Sequence, residues 1–421
     1  MDNYGFIHIS ANGQPRLSRL PLIRFTFAVM TKRTPFGTDA LETRLTARQR
    51  AGLGRQLRTA DSHVDFCSND YLGFARSPEL RTLIRQADEQ YADAPTGATG
   101  SRLLTGQTHL ADALEHELAH FYQTGAGLVF NSGYDANLGL LACLPRAGDT
   151  LLTDELIHAS LIDGARLSYA NRHRFRHNDL DDLEAQLRQI SASDQTGQIF
   201  VTVESVYSMD GDWAPLRELA DLCDGYGAAL LVDEAHATGV YGPNGEGLVV
   251  ALGLQDRVLA RVHTFGKALG VHGAVVVGPA VLRDYLINFA RPFMYTTALP
   301  PHSLLAIRCA HQHLHARADA RQQLHERLVY FRQRIAEDLP GTVWTDSTSP
   351  IQALLVPGNE AARHVAAQLQ QAGFDARAIL YPTVAAGQER LRVCLHAFNT
   401  TAEIDALVAT LQPLLVGEPT V

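Results

Sequence analysis

Lysine occurs only twice in 421 residues, at Lys32 and Lys267, and the other basic side chains are arginine. A guanidinium does not lose its proton near neutral pH, so chemistry that needs a neutral amine falls to a lysine. Lys267 stands in HTFGKALG (263–270), where flanking glycines let the backbone approach a ligand closely. VDEAHATG (232–239) places Asp233 and His236 one crossover earlier, and ESVYSMDGD (204–212) contributes Ser208 and two acids. TDELIHAS (153–160) carries His158, and NSGYDAN (131–137) puts Gly133 and Tyr134 at the start of a helix, where free N–H groups can hold a phosphate. Taken singly, each has an ordinary explanation: a structural histidine, a capping aspartate, a strand–helix turn. Together, an amine, a buried carboxylate and a phosphate nest with a hydroxyl such as Thr264 match the needs of pyridoxal 5'-phosphate. The amine forms a Schiff base, the carboxylate keeps the pyridine nitrogen protonated, and the helix-end N–H groups bind the phosphate. No G-x-G-x-x-G, no G-x-x-x-x-G-K-[ST] and no metal-ligand spacing offers a competing ligand.

The elements that must position these residues alternate along the chain. LVF (128–130), DTLLTD (149–154), IFVTVES (199–205), ALLVDEA (229–235), RVHTF (261–265) and AVVVG (274–278) read as buried strands, with helical patterns between most of them. Unbroken apolar strands alternating with helices indicate an α/β fold with a mostly parallel sheet covered on both faces. In such a sheet ligands bind at the carboxyl ends of the strands, where the chemical residues cluster. Past about Pro300 long helices (301–338), a strand IQALLVP, a helix, a strand RLRVCL and a last helix read as a smaller α+β domain. The expected division is an unassigned extension (1–38), an N-terminal helix and strand segment (39–75), a large cofactor-binding domain (76–300) and a small C-terminal domain (301–421). The spacing of Leu41, Leu45 and Leu53 predicts an amphipathic helix over 41–58. Residues 1–38 carry no clear period and no convincing signal-peptide cleavage site, and Met30 offers an alternative start.

Composition narrows the function classes. The chain is 46% hydrophobic and 19% charged, ordinary for a folded soluble protein. A net charge of −9 argues against a general grip on nucleic acid, and no apolar run is long enough to span a membrane. Five scattered cysteines without a CxxC pair argue against a disulfide framework and fit a reducing cytoplasm.

The ordered motifs SNDYLG (68–73), GATGSRLLTG (97–106), NSGYDAN, DELIHAS, ESVYSMDGDWAPL, VDEAHATGVYGPNGEG, TFGKALGVHGA, MYTTALPP (294–301) and PTVAAGQERLRV (382–393) resemble those of the α-oxoamine synthases. These are pyridoxal-phosphate acyltransferases with the aspartate-aminotransferase fold, fold type I. The resemblance runs from about Leu41 to about Pro413. It implies that Lys267 carries the cofactor, that Asp233 pairs with the ring nitrogen, and that Ser208 and His236 lie near the phenolic oxygen. It implies that His158 stacks on the ring and orients the thioester. Gly133, Tyr134 and Thr264 would bind phosphate, with Thr296 and Thr297 reaching in from a neighbouring subunit of a homodimer. Asn69 and Arg392 would hold the amino acid's carboxylate, and Thr383 would line the substrate site. The partners implied are an amino acid and an acyl-CoA or acyl-carrier-protein thioester. Ala274 in the lysine motif and the helix LTARQRAGLGRQLR are most similar to the branch that joins alanine to a pimeloyl thioester in biotin synthesis, and place Arg55 where it would meet the acyl chain. In Ile379-Leu380-Tyr381-Pro382-Thr383-Val384, Leu380 replaces that branch's arginine, a departure that favours an uncharged tail. The alternatives are a glycine and acetyl-CoA enzyme, a long-chain acyl amino ketone synthase, and a non-catalytic subunit of the same fold.

Overall fold

The structure is a computed structural model that describes residues 37–55, 57, 63–193 and 196–416. The expectations for an extension and an alternative start within residues 1–36 lie outside the described residues. Helix α1 (Thr38–Arg50) is followed by β1 (Val64–Asp65), α2 (Pro78–Gln90) and α3 (His109–Phe121). The middle of the chain alternates through β2 (Ala126–Phe130), α4 (Gly133–Cys143), β3 (Thr150–Asp154), α5 (Ala159–Leu167), β4 (Asn171–Phe175) and α6 (Leu180–Ser191). It continues with β5 (Ile199–Glu204), α7 (Leu216–Tyr226), β6 (Ala229–Asp233), α8 (Leu248–Ala251), β7 (Ala260–Thr264) and β8 (Ala274–Gly278). Helices α9 (Ala280–Phe289), α10 (Arg291–Met294), α11 (Pro301–Ala316) and α12 (Ala318–Asp338) come next. The chain closes with β9 (Ile351–Leu355), α13 (Asn359–Gln371), β10 (Phe374–Asp375), β11 (Arg377–Ile379), β12 (Arg390–Cys394) and α14 (Thr401–Val416).

The apolar runs form one seven-stranded sheet in the order β2-β8-β7-β6-β5-β3-β4. Only β8 runs against its neighbours β2 and β7, and the other pairings are parallel. Every residue of β3 and β8 is buried, as expected for strands covered by helices on both faces. Strand β4, NRHRF, is absent from the sequence reading because it is polar. It is the sheet's edge, pairs only with β3 and exposes four of its five residues.

Parallel strands bring their last residues to one edge of the sheet: Asp154 on β3, Glu204 on β5, Asp233 on β6 and Thr264 on β7. Helices α4 and α5 start at that edge. Ser132 Oγ caps α4 by accepting from the Asp135 N–H (3.1 Å), and His158 Nδ1 caps α5 by accepting from the Ser160 N–H (3.2 Å).

A three-stranded antiparallel sheet, β11-β12-β9, serves the C-terminal part, and β1 pairs in parallel with β10. The short strand at 64–65 therefore joins the C-terminal elements despite its distance in sequence. One buried apolar cluster unites Leu80 and Leu114 of α2 and α3 with Leu305, Phe331 and Leu407 of α11, α12 and α14. A second joins Leu140 of α4 and Leu219 of α7 to Val201 and Val262 of the central sheet. The described residues fall into two compact units, one up to residue 57 and the other from residue 63 onward. Within the N-terminal unit α1 ends at Arg50, which corrects the expected helix over 41–58. Gly52 adopts φ +68°, its N–H bonds the Gln49 carbonyl and the Leu53 N–H bonds the Arg48 carbonyl, a Schellman stop that the sequence AGLG permits.

Candidate active site

Lys267 follows β7 and points its amine at His236, with Nζ 2.7 Å from Nε2. His236 Nδ1 lies 2.7 Å from the hydroxyl of Tyr71, and that hydroxyl donates to Asn69 Oδ1 at 3.1 Å. The same Asn69 oxygen accepts from Arg392 Nη2 (3.1 Å), while Arg392 Nε donates to the Ser208 carbonyl (2.8 Å). The bonds thus link β7, the turn after β6, the SNDYLG segment, β12 and the loop after β5. Burial pulls the Lys267 amine down from 10.5 to about 8, and the charge of Arg392 adds to that pull, against the attraction of Asp233 and Glu204. Burial, helped by the charges of Lys267 and Arg392, holds His236 well below the usual imidazole range, so its ring is neutral.

A second set of contacts holds the carboxylate. Asn137, one helical turn inside α4, donates to Asp233 Oδ2 at 2.6 Å and to Ser160 Oγ at 3.0 Å. Ser160 Oγ in turn sits 2.8 Å from His158 Nδ1. The Ala235 N–H donates to Asp233 Oδ1 (2.8 Å), so Asp233, itself buried, has partners on both oxygens. The ring of His158 keeps an exposed edge. The protein behind it and the charge of Lys267 lower its pKa, against Asp233.

The remaining expected residues lie as follows. Gly133 begins α4 beside Thr264, where a Cβ would come within 3.3 Å of the threonine side chain. Tyr134 is exposed and its hydroxyl binds Asp163, so its contribution to an anion would come from its backbone. Asn131 donates to Thr296 Oγ1 and to the Thr297 carbonyl, both at 3.0 Å, within the same chain. Thr383 is exposed in the turn closed by its N–H on the Leu380 carbonyl. Arg55 is exposed in the N-terminal unit, beyond the end of α1 rather than on it.

Four residues escape the sequence reading. Tyr71 and Asn137 stand inside SNDYLG and NSGYDAN, but nothing in the spacing singles them out. Glu204 is the last residue of an apolar strand. It is fully buried, one carboxylate oxygen has no hydrogen-bond partner, and burial beside Asp233 pushes its pKa well above the carboxylate range. His177 lies beyond the polar strand β4. Its Nδ1 is 3.0 Å from Asp154 Oδ1 and its Nε2 is 2.8 Å from Asp212 Oδ2. His177 thereby ties the loop bearing His158 to the loop bearing Ser208.

The donor set fits pyridoxal phosphate. An amine of lowered basicity, an anchored carboxylate and a side-chain-free helix start next to a hydroxyl meet at one sheet edge, and the buried Asn137 Oδ1 and Glu204 Oε1 there lack partners. Among the described residues no group of three or more His, Cys, Asp or Glu could hold a metal, and no helix is long and apolar enough to cross a membrane.

A family model for aminotransferase class I and II matches residues 61–411. An 8-amino-7-oxononanoate synthase of Emericella nidulans is 44% identical over 373 residues, covering 83% of this chain and 89% of that protein. Among solved structures, a serine palmitoyltransferase from S. paucimobilis with a bound PLP–myriocin aldimine matches with a TM-score of 0.80 at 28% identity, covering 89% of this chain and 96% of that one. An 8-amino-7-oxononanoate synthase from Francisella tularensis matches with a TM-score of 0.69 at 31% identity, covering 84% of this chain and 98% of that one. With its site built on the strand ends of this fold and its sequence matched over most of its length, the chain belongs to the aminotransferase class I and II family.

Proposed function

We propose that the protein is a pyridoxal-phosphate-dependent acyltransferase that condenses L-alanine with a pimeloyl thioester, releasing the free thiol, carbon dioxide and 8-amino-7-oxononanoate for biotin synthesis. The observation that carries this reading is the meeting of Lys267, Asp233 and the Asn69–Arg392 pair at one sheet edge, in a chain 44% identical to an 8-amino-7-oxononanoate synthase. When bound, the cofactor supplies an electron sink for the charge left at the amino acid's Cα.

The chain's own residues do the rest. Lys267, with a pKa near 8, takes up and returns the Cα proton near neutral pH. Asp233, held by Asn137 and the Ala235 N–H, offers a fixed negative charge to the ring nitrogen. The Gly133 and Tyr134 N–H groups and Thr264 would hold the phosphate, joined by Thr296 and Thr297 of the neighbouring subunit in a homodimer with shared sites. Arg392 and Asn69 would bind the amino acid's carboxylate, Ser208 and His236 would serve the cofactor's phenolic oxygen, His158 would orient the thioester, and Thr383 would line the substrate site. Arg55 attracts the distal carboxylate of the acyl chain. Leu380, which favours an uncharged tail, packs partly buried against the apolar cluster that contains α11, α12 and α14, and the octanoyl arm of the test below weighs it against Arg55.

The test is a panel of alanine, glycine and serine against pimeloyl, octanoyl, succinyl and acetyl thioesters, read by thiol release and product mass. Alanine with pimeloyl is expected to give the highest kcat/KM. A higher value for octanoyl-CoA or acetyl-CoA overturns the substrate assignment.

A further inference from the structure

We propose that Tyr71 is a positioning residue that couples the charge on Lys267, through His236, to the carboxylate-binding pair Asn69 and Arg392. The inference rests on the reading of Lys267 and of that pair given above. It follows from which atoms can donate. An ammonium has donors only, so His236 Nε2, 2.7 Å from Lys267 Nζ, must accept. A neutral imidazole then carries its proton on Nδ1 and donates it to the Tyr71 oxygen at 2.7 Å. The phenol has one proton, and Asn69 Oδ1 at 3.1 Å takes it. Asn69 Oδ1 therefore faces two donors, Tyr71 and Arg392, and its amide NH2 is turned away from them. Tyr71 is 1% exposed, so no solvent stands in for a missing partner.

Loss of the Lys267 proton allows the direction of the chain to reverse. A neutral amine can accept, so His236 can carry its proton on Nε2 and receive the Tyr71 hydroxyl at Nδ1. The numbers of protons on His236 and Tyr71 are unchanged, and the one proton lost leaves Lys267 for solvent or substrate. Asn69 Oδ1 then keeps Arg392 as its remaining donor. The group that binds the amino acid's carboxylate thus senses whether the amine that handles the Cα proton is charged. Asp233, Glu204, His158, Arg392 and Cys394 also act on this amine, but through charge, whereas His236 is hydrogen-bonded to it.

The scarcity of lysine makes the test direct. In the full chain freed of cofactor, competitive acetylation with acetic anhydride across pH 6–10, read by peptide mass, gives the pKa of Lys267 separately from Lys32. Tyr71→Phe keeps the ring but leaves the Nδ1–H without an acceptor while Lys267 is charged, and buried orphan donors are poorly tolerated. The Lys267 pKa is expected to fall by about one unit, a tenfold change in its ionisation. Alanine binding to the cofactor-loaded protein, followed by absorbance, is expected to weaken about tenfold, the size of one hydrogen bond to a charged group, with the pimeloyl KM unchanged. A second variant, Asn69→Ala, removes a residue three links from the lysine and is expected to move the Lys267 pKa in the same direction by less. An unmoved pKa in either variant overturns the coupling, as does a shifted pKa with unaltered alanine affinity in Tyr71→Phe. Failure of the reaction reading would show as no cofactor absorbance and no alanine response in the unmutated chain, which the acetylation measurement does not depend on.

Discussion

Two charged clusters sit at the same edge of the central sheet and resolve burial in opposite ways. Burial lowers the basicity of His177, but hydrogen bonds and charges from Asp154 and Asp212 reach both ring nitrogens and push its pKa up to about 10. Burial also lowers Lys267, and there it prevails, leaving the amine at about 8. The difference lies in contact. Asp154 and Asp212 bind His177 directly, so both nitrogens donate and the ring is an imidazolium. Asp233 spends its oxygens on Asn137 and the Ala235 N–H, and the lysine's hydrogen bond goes to a neutral histidine. A base whose acids touch it becomes a permanent tie between loops. A base whose acids are held by other partners stays ready to exchange a proton.

The sharpest way to break this contrast is to remove the exchangeable amine. Lys267→Ala is expected to lower turnover by at least about 10³-fold, measured as thiol release, because no other lysine lies within the described residues to handle the proton. Asp233→Asn is expected to cost on the order of 100-fold in kcat, the loss typical of one preorganised electrostatic partner, with the circular dichroism spectrum unchanged.

The tie between loops responds in stability. With a folded pKa of about 10 above the unfolded value of 6.5, the contribution of His177 is complete below pH 6.5 and is lost as pH rises through 10. His177→Gln is therefore expected to lower Tm most near pH 6, by roughly 1–3 kcal/mol of stability after allowance for partial exposure, with the gap to the unmutated chain closing above pH 10. Thermal melts at pH 6, 8 and 10 check both size and sign. The smallest effect is expected at Arg55, an exposed charge. Arg55→Ala should raise the pimeloyl KM by no more than about fivefold, the range of an exposed ion pair, and leave alanine binding unaltered.

Much of the site was legible without coordinates. Scarce lysine, the Asp233–Lys267 spacing and the glycine at the start of α4 each answer to a demand of backbone or proton chemistry that few residue types satisfy. The unbroken apolar strands announced a mostly parallel sheet because both of its faces had to be covered. Periodicity failed where burial was incomplete. Strand β4 is a polar edge, and helix α1 stops at a glycine inside a pattern that looked continuous.

What only the tertiary structure decided are the partnerships across long sequence separations. Tyr71 meets His236, Asn69 meets Arg392, Asn137 meets Asp233 and His177 bridges Asp154 to Asp212. A side chain's type states what it can donate or accept, and the sequence by itself determined that inventory and the strand ends that carry it. Which donor meets which acceptor depends on distances of a few ångströms between segments that lie from 23 to 323 residues apart. Those distances, with the burial around them, set the direction of each pKa shift, and so only the folded chain distinguishes the lysine that exchanges its proton from the histidine that keeps one.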